Sequence, residues 1–325
     1  MLHSRIHPLK FITKPAAQIY IKRDDELGFG VTGTKLRKYQ SLLHYIKTQA
    51  IKHAVLIGGA YSNNIVSLSQ LLIEQGVVPH LFLRGGDKPP AHKGNFLLTS
   101  LLVPTKHIYW IKRDEWEDVE SRAKAFAEKL SEAALVIPEG ACMVESLPGA
   151  LSLGADILRN EQEHELLFDH IFIEVGTGLA AIGLILGFKI YRKTAQIHIL
   201  LLADSKNEFL RKLKDFCQHL CSEYQVKIEW DELVQGLHFY HPNTAASFGT
   251  TNKQVFDAII QIARHDGILT DPIYSAKLLM MAKHTILTLD IVGNMLIIHS
   301  GGGLALMGFQ EQLASQLQCI IEKSS

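Results

Sequence analysis

The sequence predicts an α/β fold of mainly parallel strands, divided between two domains. Three observations predict it. Apolar runs of strand length alternate with helical patterns along the chain, the arrangement that βαβ units produce. A buried-strand pattern, a turn of glycine and hydroxyl residues and then a helix recur at Ala54–Asn64, Ile171–Gly183 and Met295–Gly308. At 325 residues the chain exceeds what one core serves, so two domains are expected.

The strands expected from the apolar runs are His53–Ile57, His80–Leu83, Ile108–Ile111, Ala134–Ile137, Ile171–Val175, Ile197–Leu202 and Met295–His299. Helical patterns cover Thr34–Thr48, Ser62–Glu74, Trp116–Leu130, Lys206–Glu223, Lys253–His265, Tyr274–Lys283 and Gly303–Leu317. In the second of these, Ile65, Leu68 and Leu72 share one face, and Gly76 stands where a C-terminal glycine cap belongs. The first helix follows a glycine turn at Gly33, with Thr34 as its expected N-cap and Lys35 in its first turn. Between Pro138 and Leu153 the signals are mixed, as at a crossing between domains.

Composition narrows the partners. Hydrophobic residues make up 47% and charged residues 20%, which describes a globular protein with a substantial core. Lys plus Arg (33) equals Asp plus Glu (33), so no overall basic charge attracts nucleic acid or an anionic membrane. A small-molecule partner is expected. The first residues lack the apolar segment of a signal peptide, and the longest apolar stretch, Leu179–Phe188, is about half a membrane span. The expected location is cytoplasmic. Four cysteines do not make a disulfide framework. Cys217, His219 and Cys221 crowd together, but they fall in an amphipathic helix pattern without a second ligand cluster, so no metal is expected.

The glycine turns are where chemistry would sit. Glycine allows a tight turn, and the N–H groups opening the next helix then bind phosphate or carboxylate at the C-terminal edge of a parallel sheet. Any α/β protein needs such turns, however, and none here fits G-x-G-x-x-G or a Walker A sequence. Lys35 adds a second signal. The positive helix end, with Arg37 and Lys38 nearby, disfavours a protonated ammonium, and a depressed pKa suits an amine that forms a Schiff base. On spacing alone, a solvated lysine at a basic helix start is the better reading.

Together these segments resemble the aminocyclopropane-carboxylate deaminase and D-cysteine desulfhydrase family, of the tryptophan-synthase-β-like fold. The resemblance runs in order through IKRDDELGFGVTGTKLRKYQSLL, GGAYSNN, LRGG…KGNFLL, VIPEG, VGTG, GILTDPIYSAK and IIHSGGGLALMGF. It implies pyridoxal 5'-phosphate in a crevice between two domains, each a mainly parallel twisted sheet with helices on both faces. Residues 1–40 with 148–325 would form the larger, cofactor-binding domain, and 41–147 a smaller one closing over substrate. By resemblance Lys35 holds the cofactor covalently and carries protons. Asn63 meets its phenolic oxygen, Gly176, Thr177, Gly178 and Leu179 cradle its phosphate, and Ser300 faces its pyridine nitrogen. Ser62 sits at the substrate carboxylate, and Tyr274 is a second acid/base or nucleophile. A homodimer is also implied.

Three departures bear on the substrate. Phe248 stands at a substrate-facing position where both activities of the family carry tyrosine. Ser275 follows Tyr274 where the cyclopropane deaminases carry an acid, which favours a desulfhydrase-like arrangement around the nitrogen. Ala141-Cys142-Met143 replaces the usual Gly-Ser-Asn in the segment that closes over substrate. A deaminase or lyase for a small amino acid leads. A racemase or dehydratase, an inactive cofactor-binding protein and an unrelated nucleotide-binding protein stay open as alternatives.

Overall fold

The computed structural model describes the chain except residues 1, 29–31, 87–89 and 325 and the side chains of 320–324. Phe29, Gly30 and Val31 of the lysine-bearing motif therefore lie outside the described residues. Among those described, the strands are β1 (Ile6–Pro8), β2 (Ala17–Lys22), β3 (His53–Gly59), β4 (Val78–Arg84), β5 (Ile108–Ile111), β6 (Ala134–Ile137), β7 (His170–Val175), β8 (Gln196–Leu201), β9 (Leu237–Tyr240) and β10 (Gly293–Ile298). The helices are α1 (Lys35–Thr48), α2 (Asn63–Glu74), α3 (Gly94–Leu102), α4 (Val119–Ala127), α5 (Leu147–Glu163), α6 (Leu179–Ile190), α7 (Lys206–Tyr224), α8 (Trp230–Val234), α9 (Lys253–Asp266), α10 (Ser275–Thr288) and α11 (Gln310–Ser324). The chain divides into two units, residues 1–37 with 150–325 and residues 38–149.

The first unit carries a six-stranded sheet in the order β1-β2-β10-β7-β8-β9. Every pair is parallel except β1 with β2. Central strands of a parallel sheet are covered on both faces and so read as continuous apolar runs. In β7, Ile171, Phe172, Ile173 and Val175 are all buried. β2 pairs with β10 from Ala17↔Gly293 to Lys22↔Ile298, which carries the chain from Lys22 toward Lys35 beside the C-terminal end of β10. The second unit has the parallel order β5-β4-β3-β6. There α2 turns Ile65, Leu68 and Leu72 into the core, and Gly76 takes φ 72° just beyond the helix.

The third glycine turn behaves differently from expectation. After β10, Gly303–Phe309 winds as a 3-10 helix, and the α-helix begins only at Gln310. Gly301 and Gly302 stand at φ 96° and 84°, so the backbone leaves the strand through two left-handed residues first. Cys217 lies on the buried face of α7 with Phe209, Leu213, Phe216 and Leu220. Burial, with Cys221 beside it, pushes the Cys217 thiol up to about 12. Among the described residues no helix is long and apolar enough to cross a membrane.

Each sheet carries a ladder of histidines toward the N-terminal ends of its strands. His53 Nδ1 lies 3.1 Å from His80 Nε2, and the His80 and His107 rings pack at 4.7 Å. In the other sheet His170 Nδ1 lies 3.0 Å from His198 Nε2, and His198 stacks on His238 and Phe172. Burial first, then the neighbouring rings, lowers His80 to about 4 and His198 to about 3. An N–H···N bond needs one lone pair, so protonating both rings of a pair breaks it.

The unfolded chain, with histidine near 6.5, therefore binds more protons than the native state as pH falls below that value. Stability is full above about pH 6.5 and declines as pH drops toward 4, by about 1.4 kcal/mol per unit for each of these two rings. Urea unfolding at pH 5 is expected to give a stability roughly 4 kcal/mol below that at pH 7. An equal or higher value at pH 5 would refute the assignment of neutral, buried rings.

Candidate active site

Lys35 is placed by its flanks. Gly33 has φ 51°, and a Cβ there would lie 2.0 Å from the Ser300 carbonyl oxygen, so only glycine fits. The Thr34 N–H donates to that same carbonyl at 2.9 Å, clamping the start of α1 to the turn after β10. The expected side-chain cap is not made: Thr34 Oγ1 has no hydrogen-bond partner among the described residues. Tight i→i−3 bonds replace it, from the N–H groups of Lys35, Leu36 and Arg37 to the carbonyls of Thr32, Gly33 and Thr34.

Two residues on, Arg37 is fully buried and anchors this end of the helix. It bonds both oxygens of Asp24 at 2.7 Å and Asp156 at 2.5 Å. Lys22 Nζ reaches the same Asp156 oxygen at 2.6 Å and Asn160 at 2.6 Å.

The amine of Lys35 is held below its ordinary pKa, chiefly by burial, against the pull of Glu174 and Asp271. That replaces the cause expected from sequence. Arg37 is neutralised by Asp24 and Asp156, and Lys38 donates to the Gly140 carbonyl within the second unit. Lys35 Nζ stands 5.9 Å from the centre of the Tyr274 ring. Tyr274 is held by Asp271, which accepts from the N–H groups of Ile273, Tyr274 and Ser275 and from the Ser275 hydroxyl. Asp-Pro followed by serine four residues on is the local signal for such a turn, which the sequence reading passed over.

The Tyr274 ring lies on the turn after β7: a Cβ at Gly176 would meet Tyr274 Cε1 at 3.2 Å. Gly178, at φ 100°, caps the 12-residue helix α6, whose first N–H groups lack intrahelical partners. Lys212 Nζ approaches the Thr177 carbonyl at 3.5 Å while paired with Asp204 at 2.7 Å. Next to the turn, Glu174 is buried and hydrogen-bonds Ser300 through its side chain. Burial lifts this carboxyl to about 7. Phe248 is 50% exposed and meets Tyr274 edge-on at 6.0 Å. Lys35, Gly176–Leu179, Tyr274, Phe248 and Ser300 thus all belong to the first unit.

Ser62 and Asn63 belong to the second unit. Ser62 caps α2, its hydroxyl oxygen accepting from the N–H groups of Asn64 and Ile65 at 3.1 and 3.4 Å. Asn63 Oδ1 accepts from Asn95 Nδ2 at 2.6 Å, which leaves the Asn63 NH2 as its donor end. Asn95, in the KGNFLL segment, was not singled out from sequence; it orients Asn63 from α3.

A buried lysine amine, held below its ordinary pKa beside a strand–turn–helix anion cradle, suits one class of cofactor, and the whole-chain comparison agrees. The sequence profile of the pyridoxal-phosphate dependent enzymes matches residues 4–301. The chain belongs to that family. Its cofactor is pyridoxal phosphate, and the residues present fit it: a desolvated amine, the helix amides after Gly178, and a buried Glu174 whose Oε2 has no partner among the described residues.

Among relatives of this pyridoxal-phosphate enzyme is a mitochondrial bifunctional D-cysteine desulfhydrase/1-aminocyclopropane-1-carboxylate deaminase of Arabidopsis thaliana. It is 26% identical over 313 residues, covering 92% of this chain and 75% of that one. A 1-aminocyclopropane-1-carboxylate deaminase of a Bradyrhizobium strain is 26% identical over 283 residues, covering 80% and 78%. A crystal structure of an ACC deaminase homologue superposes with a TM-score of 0.82 at 25% identity, covering 97% of this chain and 94% of the other.

Proposed function

We propose that this pyridoxal-phosphate enzyme is a deaminase or lyase of a small amino acid, releasing a 2-oxo acid and ammonia. The observation that carries the reading is the burial-lowered Lys35 amine, 5.9 Å from the Tyr274 ring, which itself rests on the Gly176 turn. When bound, the cofactor takes up the electron pair left as a bond to the substrate α-carbon breaks. The remaining work falls to the chain.

Lys35 links to the cofactor, then accepts the α-proton, which an amine does only when unprotonated. The N–H groups from Gly176 to Leu179 hold the phosphate at the positive end of α6. The Asn63 NH2 donates to the phenolic oxygen. The Ser300 hydroxyl meets the ring nitrogen. Ser62 and the amides of its turn hold the substrate carboxylate, Phe248 borders the substrate, and the Tyr274 hydroxyl moves a second proton. The names of the relatives point to D-cysteine or aminocyclopropane carboxylate. Ser275, in place of an acid, favours β-elimination of the D-cysteine type. The reading carries with it a homodimer in the cytoplasm, the first checked by light scattering.

The test is to incubate the holoenzyme with D-cysteine, L-cysteine, D-serine and aminocyclopropane carboxylate and to assay the 2-oxo acid. Product from one of these is expected. A change of optical rotation alone would make the enzyme a racemase, and a spectral shift without product would make it a binder. Tyr274→Phe is expected to keep its cofactor yet lose about 10²–10⁴ of turnover, the usual worth of a proton-transfer group. Full activity in that variant would remove Tyr274 from the mechanism.

A further inference from the structure

We propose that Glu174 is a positioning residue for the cofactor ring, its carboxyl setting which way the Ser300 hydroxyl points and hence the protonation of the ring nitrogen. The proposal rests on the reading above that Ser300 meets that nitrogen.

A carboxyl has no packing reason to be where Glu174 is. It is the penultimate residue of β7, only 7% exposed, among Ile171, Phe172, Ile173 and Val175. Across β8 its register partner is the fully buried Leu200. A buried acid costs several kcal/mol unless paired, and the pairing here is half made. The side chain bonds the Ser300 hydroxyl, and Oε2 has no partner among the described residues.

The charged groups facing it come from two other elements, Lys35 at the start of α1 and Asp271 ahead of α10. Asp271 spends four hydrogen bonds on its own turn. His299, next to Ser300, is committed to the Leu269 carbonyl and the Gly301 N–H. Burial and the Asp271 charge outweigh Lys35 and the Ser300 bond, so the carboxyl titrates at about 7 rather than in the ordinary range. Both of its forms are therefore populated near neutral pH.

The two forms orient Ser300 oppositely. An ionised Glu174 only accepts, so Ser300 donates to it and turns a lone pair toward a protonated nitrogen. A protonated Glu174 donates to the Ser300 oxygen, and the serine proton then goes to an unprotonated nitrogen. One proton shift along the chain interconverts them, the carboxyl proton moving to the serine oxygen as the serine proton moves to nitrogen with no net change in charge, and loss of that shared proton to solvent as pH rises through about 7 is the step a titration reads. A hydroxyl alone would hold the nitrogen unprotonated; a hydroxyl backed by this acid adjusts to the reaction.

The test is spectroscopic. Holoenzyme is prepared with pyridoxal phosphate, and its absorbance and visible circular dichroism are followed from pH 5.5 to 8.5. Wild type, Glu174→Gln and Ser300→Ala are compared, with borohydride attachment to Lys35 as the check of cofactor placement. The wild-type spectrum is expected to titrate with a midpoint near 7, and both variants to lose that transition while still taking the label. An unchanged midpoint in Glu174→Gln, or a wild-type spectrum that does not titrate, overturns the role of Glu174. An unchanged midpoint in Ser300→Ala overturns it too, because the carboxyl would then act on Lys35 directly. If Glu174→Gln does not fold, Ser300→Ala decides alone. Wild type that takes no label at Lys35 fails the proposed function as well, whereas labelled protein with an altered expectation fails this inference only.

Discussion

Lys35→Ala is expected to yield a folded protein that takes no borohydride label at that position and has lost turnover by at least about 10²–10⁴, from the proton-transfer role alone. The fold survives because the helix start has other anchors. Arg37 remains tied to Asp24 and Asp156, and Gly33 and Thr34 remain clamped to Ser300. The apo form should in fact melt no lower than wild type. Burial lowers the Lys35 pKa, so the unfolded chain holds a proton there more firmly, and this amine costs stability at neutral pH. Such a trade is usual where a site is strained for chemistry. Comparing apo melting temperatures and mapping the labelled peptide checks both halves. A label appearing elsewhere, or undiminished turnover, would sink the assignment of Lys35.

Asp156→Ala should produce the largest loss of stability, about 3–5 kcal/mol, because it leaves the buried Lys22 without its paired carboxylate and takes one of two from Arg37. Lys22 and Arg37 are both 0% exposed, and both rest on this one carboxylate oxygen. His3 Nδ1 holds the other oxygen at 2.6 Å. Coulombic attraction and hydrogen bonds from Lys22 and Arg37 overcome its burial and hold the Asp156 carboxyl down at about 2. A depressed carboxylate stabilises above its unfolded pKa of about 3.9 and loses that contribution as pH falls toward 2. Asp156→Asn, which keeps the shape and removes the charge, should be destabilised too. Because Arg37 sits two residues from Lys35, both variants should also take up cofactor less tightly. A loss below about 1 kcal/mol in urea unfolding would show the network to be solvated.

Much of this was legible before any coordinates, for physical reasons that vary by element. Ile108–Ile111 and Ala134–Ile137 match their strands end for end: both read as apolar runs although they are the half-buried edge strands of their parallel sheet. β2 was missed. Its AQIYIK has polar residues at Gln18 and Lys22, and Lys22 is buried only because Asp156 receives it from α5. No local pattern encodes that partner. The start of α5 falls within the Pro138–Leu153 stretch of mixed signals, where Pro148 and Gly149 stand, with Gly154 just beyond it. Proline is tolerated in a first helical turn, and Gly154 packs closely on Gly187 and Phe188 of α6. Lys35, Tyr274 and the glycine turns could be named from motif and resemblance. Glu174 could not, because its meaning depends on Ser300, which reaches it only through the pairing of β10 with β7.

The placement of β2 against β10 has a consequence for biogenesis. Residues 38–149 are contiguous and have their strand partners in hand once that stretch has left the ribosome. The segment leading to Lys35 does not, because beyond β1 its strand docks on residues 293–298, made long after it. Such distant closure is slow and leaves surfaces uncovered in the meantime. The lysine is translated well before the strand that locks its segment in place, so a nascent chain has no competent amine for the cofactor until β10 has been made.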